Sequence, residues 1–254
     1  MTFDFTNKNV LITGGSRGIG NVTAKLFASA GANVIITYNS RREEAEHTIA
    51  EFGLSNHSAH QLNIADPEAV KQLFEHLGKR YETLDILVNN AAVHLEHKIL
   101  EDDFEHWQKS WENTLKANLQ GPANMCYFAA QMMKKQNYGK IINISSRGAF
   151  RGEPENPAYG ASKAGINSMS QSLALALAPH NISVHIIAPG YVETEMALQT
   201  LNGPKGEGIK QQSPFKRVAK PEEVARLVAV YASEGMEFTT AGIVDINGAS
   251  YLRS

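Results

Sequence analysis

Short runs of β-branched and aliphatic residues alternate along the chain with longer stretches in which apolar residues recur every three or four positions. The short runs predict strands at Asn9–Thr13, Asn33–Tyr38, Ser58–Asn63, Leu84–Asn89, Lys140–Ser145, Ser183–Ala188 and Gly242–Ile246. The longer stretches predict helices at Gly20–Ala30, Arg41–Phe52, Pro67–Arg80, Phe104–Lys135, Gly160–Ala178 and Pro221–Ser233. Runs such as VLIT and DILV are apolar throughout, which fits a parallel sheet covered on both faces. The strand–helix alternation has no internal repeat and no Ser/Pro-rich linker. It predicts an α/β fold: one doubly wound parallel sheet of about seven strands with helices on both faces, in a single domain over 1–254. Gly190–Lys220, which contains NGPKGEG, is the main irregular stretch and is expected to act as a lid.

Composition narrows the class. Hydrophobic residues are 43% and charged residues 20%, the balance of a globular chain. A net charge of -2 with no basic tract gives no footing for nucleic acid or an anionic membrane surface. The pairs Arg41-Arg42 and Lys134-Lys135 read as solvated surface. The single cysteine, Cys126, excludes an internal disulfide and sits in the apolar run MCYFAAQMM, where packing is its expected role. No export signal is visible at the N-terminus, and no apolar run reaches the ~18 residues of a membrane span, so a cytoplasmic location is expected.

Candidate chemistry begins where the first strand runs into TGGSRGIG, Thr13–Gly20, and a helix follows. Glycines at 14, 18 and 20 permit a tight turn and close backbone approach to a pyrophosphate. The free N–H groups at the helix start favour the phosphates. Farther on, Tyr159 and Lys163 in YGASK lie four apart and share one helix face. That spacing alone serves equally well as a helix start or as a proton-handling pair. An ordinary tyrosine titrates at ~10, and a nearby ammonium is expected to draw it down towards the working range.

TGGSRGIG, NNAA at Asn89–Ala92, then Ser146, Tyr159 and Lys163 together resemble the short-chain dehydrogenase/reductase family, from about Asn7 to the C-terminus. The resemblance implies a Rossmann-type fold and an oxidoreductase that moves a hydride between a nicotinamide cofactor and a carbonyl or alcohol. Its catalytic residues would be Asn118, Ser146, Tyr159 and Lys163. Tyr159 would be the general acid/base and Ser146 would bond the substrate oxygen. Lys163 would hold the nicotinamide ribose, and Asn118 a water linking Lys163 to solvent. Cofactor contacts are implied at Gly14, Ser16, Arg17, Gly18, Ile19 and Gly20 in the turn, and at Asn63 and Ile64 beside the adenine. Asn89, Asn90 and Ala91 would line the cleft, and Pro189, Gly190, Val192 and Thr194 would follow the sixth strand towards the nicotinamide.

The second strand ends at Tyr38, with no carboxylate for a ribose 2′-hydroxyl. Arg17, Ser40 and Arg41 lie close in sequence, and an arginine can hold a 2′-phosphate, so NADP(H) is favoured over NAD(H). His94 and His97 flank Glu96 without an evident third ligand, so a substrate-facing or solvated loop is expected and no metal site. They and Trp107 and Trp111 are candidates for the pocket border, with helix packing the plainer role for the tryptophans. The closest resemblance is to 3-oxoacyl-carrier-protein reductases and glucose-dehydrogenase-like members. QNY at Gln136–Tyr138 and PHN at Pro179–Asn181 lack the arginines that acyl-carrier reductases often place there. The Gly160–Ala178 helix is apolar nearly all round, and with the family habit this implies a homo-oligomer, a tetramer. A non-catalytic NADP(H)-sensing protein on the same fold is the rival reading; such proteins typically lose the Tyr or the Lys, and both are kept here. An enoyl reductase generally needs a longer Tyr–Lys spacing.

Overall fold

VLIT lies at the middle of the molecule because both of its faces are covered: Val10 and Ile12 belong to one hydrophobic core and Leu11 to the other. The computed structural model describes residues 2–53 and 56–253. Seven strands are present among them: β1 (Asn9–Ile12), β2 (Asn33–Tyr38), β3 (Ser58–Gln61), β4 (Ile86–Asn89), β5 (Gly139–Ile144), β6 (Ile182–Pro189) and β7 (Ile243–Ile246). They form one parallel sheet, as the sequence predicts, and its order is β3-β2-β1-β4-β5-β6-β7.

The helices are α1 (Gly18–Ser29), α2 (Arg42–Ala50), α3 (Pro67–Arg80), α4 (Phe104–Leu115) and α5 (Gly121–Gln136), then α6 (Gly148–Arg151), α7 (Pro157–Leu177), α8 (Glu195–Leu201), α9 (Gly206–Gln211) and α10 (Pro221–Ala232). Apolar faces of α1 and α10 pack on one side of the sheet, through Ala24, Phe27, Val224 and Val228. Helices α3, α5 and α7 cover the other through Leu73, Met125, Met133 and Ala174. The strand order reverses between β1 and β4, which opens a crevice at the carboxyl ends of the strands.

Two departures from the sequence reading matter for the site. The helix expected over Phe104–Lys135 is broken by a π-helical turn at Lys116–Gln120, closed by the Gly121 N–H on the Lys116 carbonyl. Pro122 explains the break: it has no N–H to donate to the carbonyl of Asn118, four residues earlier. The stretch expected to be irregular, 190–220, carries α8 and α9, of 7 and 6 residues, and is tied down where Val192 pairs with Ala219. Helices this short span two turns or fewer and leave no readable periodicity.

Candidate active site

A cleft of about 420 Å³ follows the carboxyl edge of the sheet across the switch point. Its floor is the turn from β1 to α1. Helix α1 has no side-chain cap at Arg17 and no acidic residue in its first turn, so its leading N–H groups stay available to an anion. Gly14 holds φ of +67 and Gly18 of +55, conformations that glycine adopts without strain. Of the turn, Gly14, Ser16, Arg17, Gly18 and Ile19 line the cleft. Gly20 does not; a Cβ there would run into the Gly14 carbonyl, so its part is to let helix and turn close on each other.

The other expected cofactor positions fall along the same cleft: Tyr38, Ser40, Arg41, Asn63, Ile64, Asn90, Ala91, Pro189, Gly190, Val192 and Thr194. At one end Arg17 and Arg41 converge on a single carboxylate oxygen of Glu195, at 3.8 and 3.2 Å. Thr13, fully buried, accepts from the N–H groups of Asn90 and Ala91 at 2.9 and 3.0 Å. Asn90 Nδ2 in turn donates to the Thr13 carbonyl at 2.9 Å, so the glycine turn and the end of β4 are fastened together. Asn89 is corrected: it faces the core and donates to Asn143 Oδ1 at 2.8 Å and to Cys126 Sγ at 3.2 Å. The same burial pushes the Cys126 thiol up to about 12, which fits a packing role.

At the other end Ser146, Tyr159 and Lys163 come together. Ser146 follows β5 and its Oγ accepts from the Gly148 N–H at 3.0 Å. Pro157 opens α7 at a position where a missing N–H costs nothing, which sets Tyr159 in the first turn and Lys163 one turn later. Lys163 Nζ donates to the Ile144 carbonyl at 2.8 Å and lies 5.6 Å from the centre of the Tyr159 ring. Burial pushes the phenol up to about 12; the Ser146 hydroxyl, bonded to it, opposes the rise, while Glu153 and Tyr191 add to it. Burial pulls Lys163 down to about 8. The expectation that Lys163 draws the phenol down is therefore corrected for this arrangement: loss of water dominates both groups.

Asn118 sits in the π-helical turn, buried, and does not line the cleft. Its Oδ1 accepts from the Val93 N–H and its Nδ2 donates to the Val93 carbonyl, both at 2.8 Å, with a longer contact to Ser162 Oγ at 3.4 Å. The amide thus clamps the loop after β4. His94 does face the cleft, its ring edge-on to Tyr159 at 4.7 Å and its Nε2 3.2 Å from Asn156 Nδ2. His97 does not. It is fully buried, and the Ala158 N–H can only donate to its Nε2 (3.2 Å), so Nδ1 carries the proton given to the Leu95 carbonyl at 2.8 Å. Trp107 and Trp111 pack on that ring at 5.3 and 6.3 Å, away from the cleft lining. Among the described residues there is no group of three or more His, Cys, Asp or Glu placed to hold a metal.

Glu153, Tyr191 and Arg147 also line the cleft and escaped the sequence reading. Each lies in a connection without periodicity. Only their nearness to Ser146, Tyr159 and Gly190 along the chain hinted at them.

A dinucleotide-sized cleft ending in a serine, a tyrosine and a lysine defines the class of nicotinamide-dependent oxidoreductases acting on C=O and CH–OH groups. The chain belongs to the short-chain dehydrogenase/reductase family. A family model described as enoyl-(acyl carrier protein) reductase matches residues 14–248. The 3-oxoacyl-acyl-carrier-protein reductase of Aquifex aeolicus is 34% identical over 254 residues, covering 99% of this chain and 100% of that protein. Its Escherichia coli counterpart is 32% identical over 249 residues, covering 98% and 99%. A short-chain dehydrogenase from Burkholderia cenocepacia, crystallised with NADP, superposes with a TM-score of 0.86 at 30% identity, over 96% of this chain and 98% of that one.

Proposed function

We propose that the protein is an NADP(H)-dependent carbonyl reductase or alcohol dehydrogenase, 3-oxoacyl-reductase-like in its chemistry. The observation that carries this reading is the meeting of Ser146, Tyr159 and Lys163 at one end of a cleft whose other end holds Arg17 and Arg41. The cofactor supplies or accepts the hydride. The glycine turn and the open start of α1 receive its pyrophosphate, Asn63 and Ile64 flank the adenine, and Arg17, Ser40 and Arg41 hold the 2′-phosphate beside Tyr38. Asn90 and Ala91 line the middle of the cleft, while Pro189, Gly190, Val192 and Thr194 flank the nicotinamide.

Ser146 bonds the substrate oxygen and fixes it against the phenol. Tyr159 gives its proton to that oxygen in reduction and takes one from the alcohol in oxidation. Lys163 holds the ribose hydroxyls and keeps positive charge near the phenolic oxygen. Asn118 clamps the Val93 loop with its side chain, and its carbonyl, to which Pro122 cannot donate, is the group that would hold a relay water for Lys163. The 190–220 segment is the lid, with Glu195 at its rim.

NADP in the Burkholderia relative and the 3-oxoacyl activity in the names of the others support the cofactor and the reaction. The four-residue Tyr–Lys spacing favours a carbonyl over an enoyl substrate. The places in this chain that lack arginines favour a small thioester or ketone over a docked acidic carrier. Exposed Tyr127 on α5 and Leu175 on α7, 59% and 80% accessible, support assembly into a tetramer through that face. No helix among the described residues is long and apolar enough to cross a membrane, and with the single unpaired Cys126 this supports a cytoplasmic location. The retained tyrosine and lysine disfavour a non-catalytic sensor. Following NADPH and NADH oxidation over a panel of ketones, 3-oxoacyl thioesters and aldoses tests the reading. Turnover of at least one carbonyl class with NADPH is expected, and binding of NADPH without turnover of any would favour the sensor.

A further inference from the structure

Arg147, the residue after Ser146, is 3% exposed, yet no carboxylate lies within 4.0 Å of it among the described residues. Its Nη1 donates to two neutral acceptors, Gln212 Oε1 at 2.9 Å and Ser250 Oγ at 2.7 Å. Nε and Nη2 find no acceptor among the described residues. The guanidinium lies over the Tyr191 ring, 5.5 Å from its centre, which fixes its plane. Arg151 shares Gln212 Oε1 at 3.0 Å, so the neighbourhood holds a second positive charge. Glu153 acts on Arg147 only through space, and its own carboxyl is pushed up by burial. A buried cation held by neutral groups alone is costly, and structures retain one where an anion completes it.

A cavity of about 220 Å³ opens beside this guanidinium, a volume that admits a carboxylate or phosphate group. Its wall supplies further donors. Ser250 Oγ accepts from Arg147 and has its own proton to give, and the Tyr191 hydroxyl has no hydrogen-bond partner among the described residues. The other cation of the wall, Arg217, is already matched by both oxygens of Glu223 at 2.7 Å. Arg147 is thus the one wall cation without a counter-ion among the described residues. We propose that this cavity is an oxyanion-binding site, in which Arg147 and Ser250 take one carboxylate or phosphate group. Tyr191 and Arg147 line both this cavity and the catalytic cleft, so an anion here sits against the wall of the substrate site.

The test uses inorganic phosphate and acetate, titrated at constant ionic strength against chloride and read by calorimetry and by the unfolding midpoint. It is run on the Arg17→Ala/Arg41→Ala chain, so that the exposed arginines of the cofactor cleft cannot take up the anion. This also keeps the outcome independent of the cofactor assignment. Saturable binding is expected, weakened about tenfold or more in Arg147→Met, the scale of one charge-assisted pair. Ser250→Ala keeps the cation and should weaken binding about threefold, the scale of one hydrogen bond. The serine variant keeps the inference testable if the buried arginine cannot be replaced without unfolding. Competition between phosphate and the carbonyl substrate would mean that the anion belongs to the substrate; inhibition that the substrate does not relieve would mean a separate small anion. Absence of saturable binding, or equal binding in Arg147→Met or Ser250→Ala, overturns the proposal.

Discussion

Lys163 Nζ donates a hydrogen bond to the Ile144 carbonyl at 2.8 Å and lies 5.6 Å from the centre of the Tyr159 ring. Both side chains have lost water, so the phenol titrates high, at about 12, and the ammonium low, at about 8. Reduction needs a protonated phenol, which is present through the neutral range. Oxidation needs tyrosinate, whose fraction grows with pH. Initial rates in both directions from about pH 6 to 10 should show alcohol oxidation climbing throughout. Reduction should be level and then fall as Lys163 loses its charge above about 8. Oxidation independent of pH would contradict this assignment.

Glu195 occupies the two arginines assigned to the 2′-phosphate. Arg17→Ala should therefore weaken NADPH binding about tenfold, the scale of a hydrogen bond to a charged group, and leave NADH unchanged. Glu195→Gln should tighten NADPH, because the carboxylate no longer competes for the same guanidinium groups. Fluorescence titration of both nucleotides against the three chains checks this. Equal losses for NADPH and NADH in Arg17→Ala would contradict it.

Gly20 leaves no room for a methyl group, since its Cβ would meet the Gly14 carbonyl and lie 2.6 Å from Asn90 Nδ2. Gly20→Ala should lower stability by roughly 1–3 kcal/mol, as overpacking does, and weaken nucleotide binding by shifting the turn. Denaturant unfolding with and without cofactor separates the two effects.

His185 is fully buried, with Nε2 3.0 Å from Ser183 Oγ, and burial together with nearby Lys140 holds it down at about 4. The unfolded chain therefore protonates this ring first. The stability gained from keeping the ring neutral is complete above about pH 6.5 and is lost as pH falls towards 4. In His185→Gln the unfolding midpoint should fall less over that interval than in the parent chain. Parallel curves would contradict the assignment.

Much of this was legible in the sequence for identifiable reasons. Strands covered on both faces carry uninterrupted apolar runs, so Val10–Ile12 in β1 and Ile86–Val88 in β4 announced a covered parallel sheet, and the glycine turn and Tyr159–Lys163 spacing are local patterns. What stayed hidden depends on the third dimension. The side chain of Asn89 points inward and that of Asn90 outward, although one strand end carries both. The π-helical turn follows from the absent N–H of Pro122, which the apolar period runs straight through. Glu153, Tyr191 and Arg147 sit in connections whose path the sheet decides, and α8 and α9 are too short for a period to show. The burial that reverses the expected shift of Tyr159 is likewise a property of packing, invisible in the four-residue spacing.

The central claim is that Tyr159 moves the proton. Tyr159→Phe keeps the ring and its packing and removes only the hydroxyl. Steady-state reduction of the best carbonyl substrate by NADPH should fall about 10²–10⁴-fold in kcat, the usual worth of a positioned acid, while NADPH binding is retained. Reduction by the phenylalanine variant at the parent rate would contradict the account.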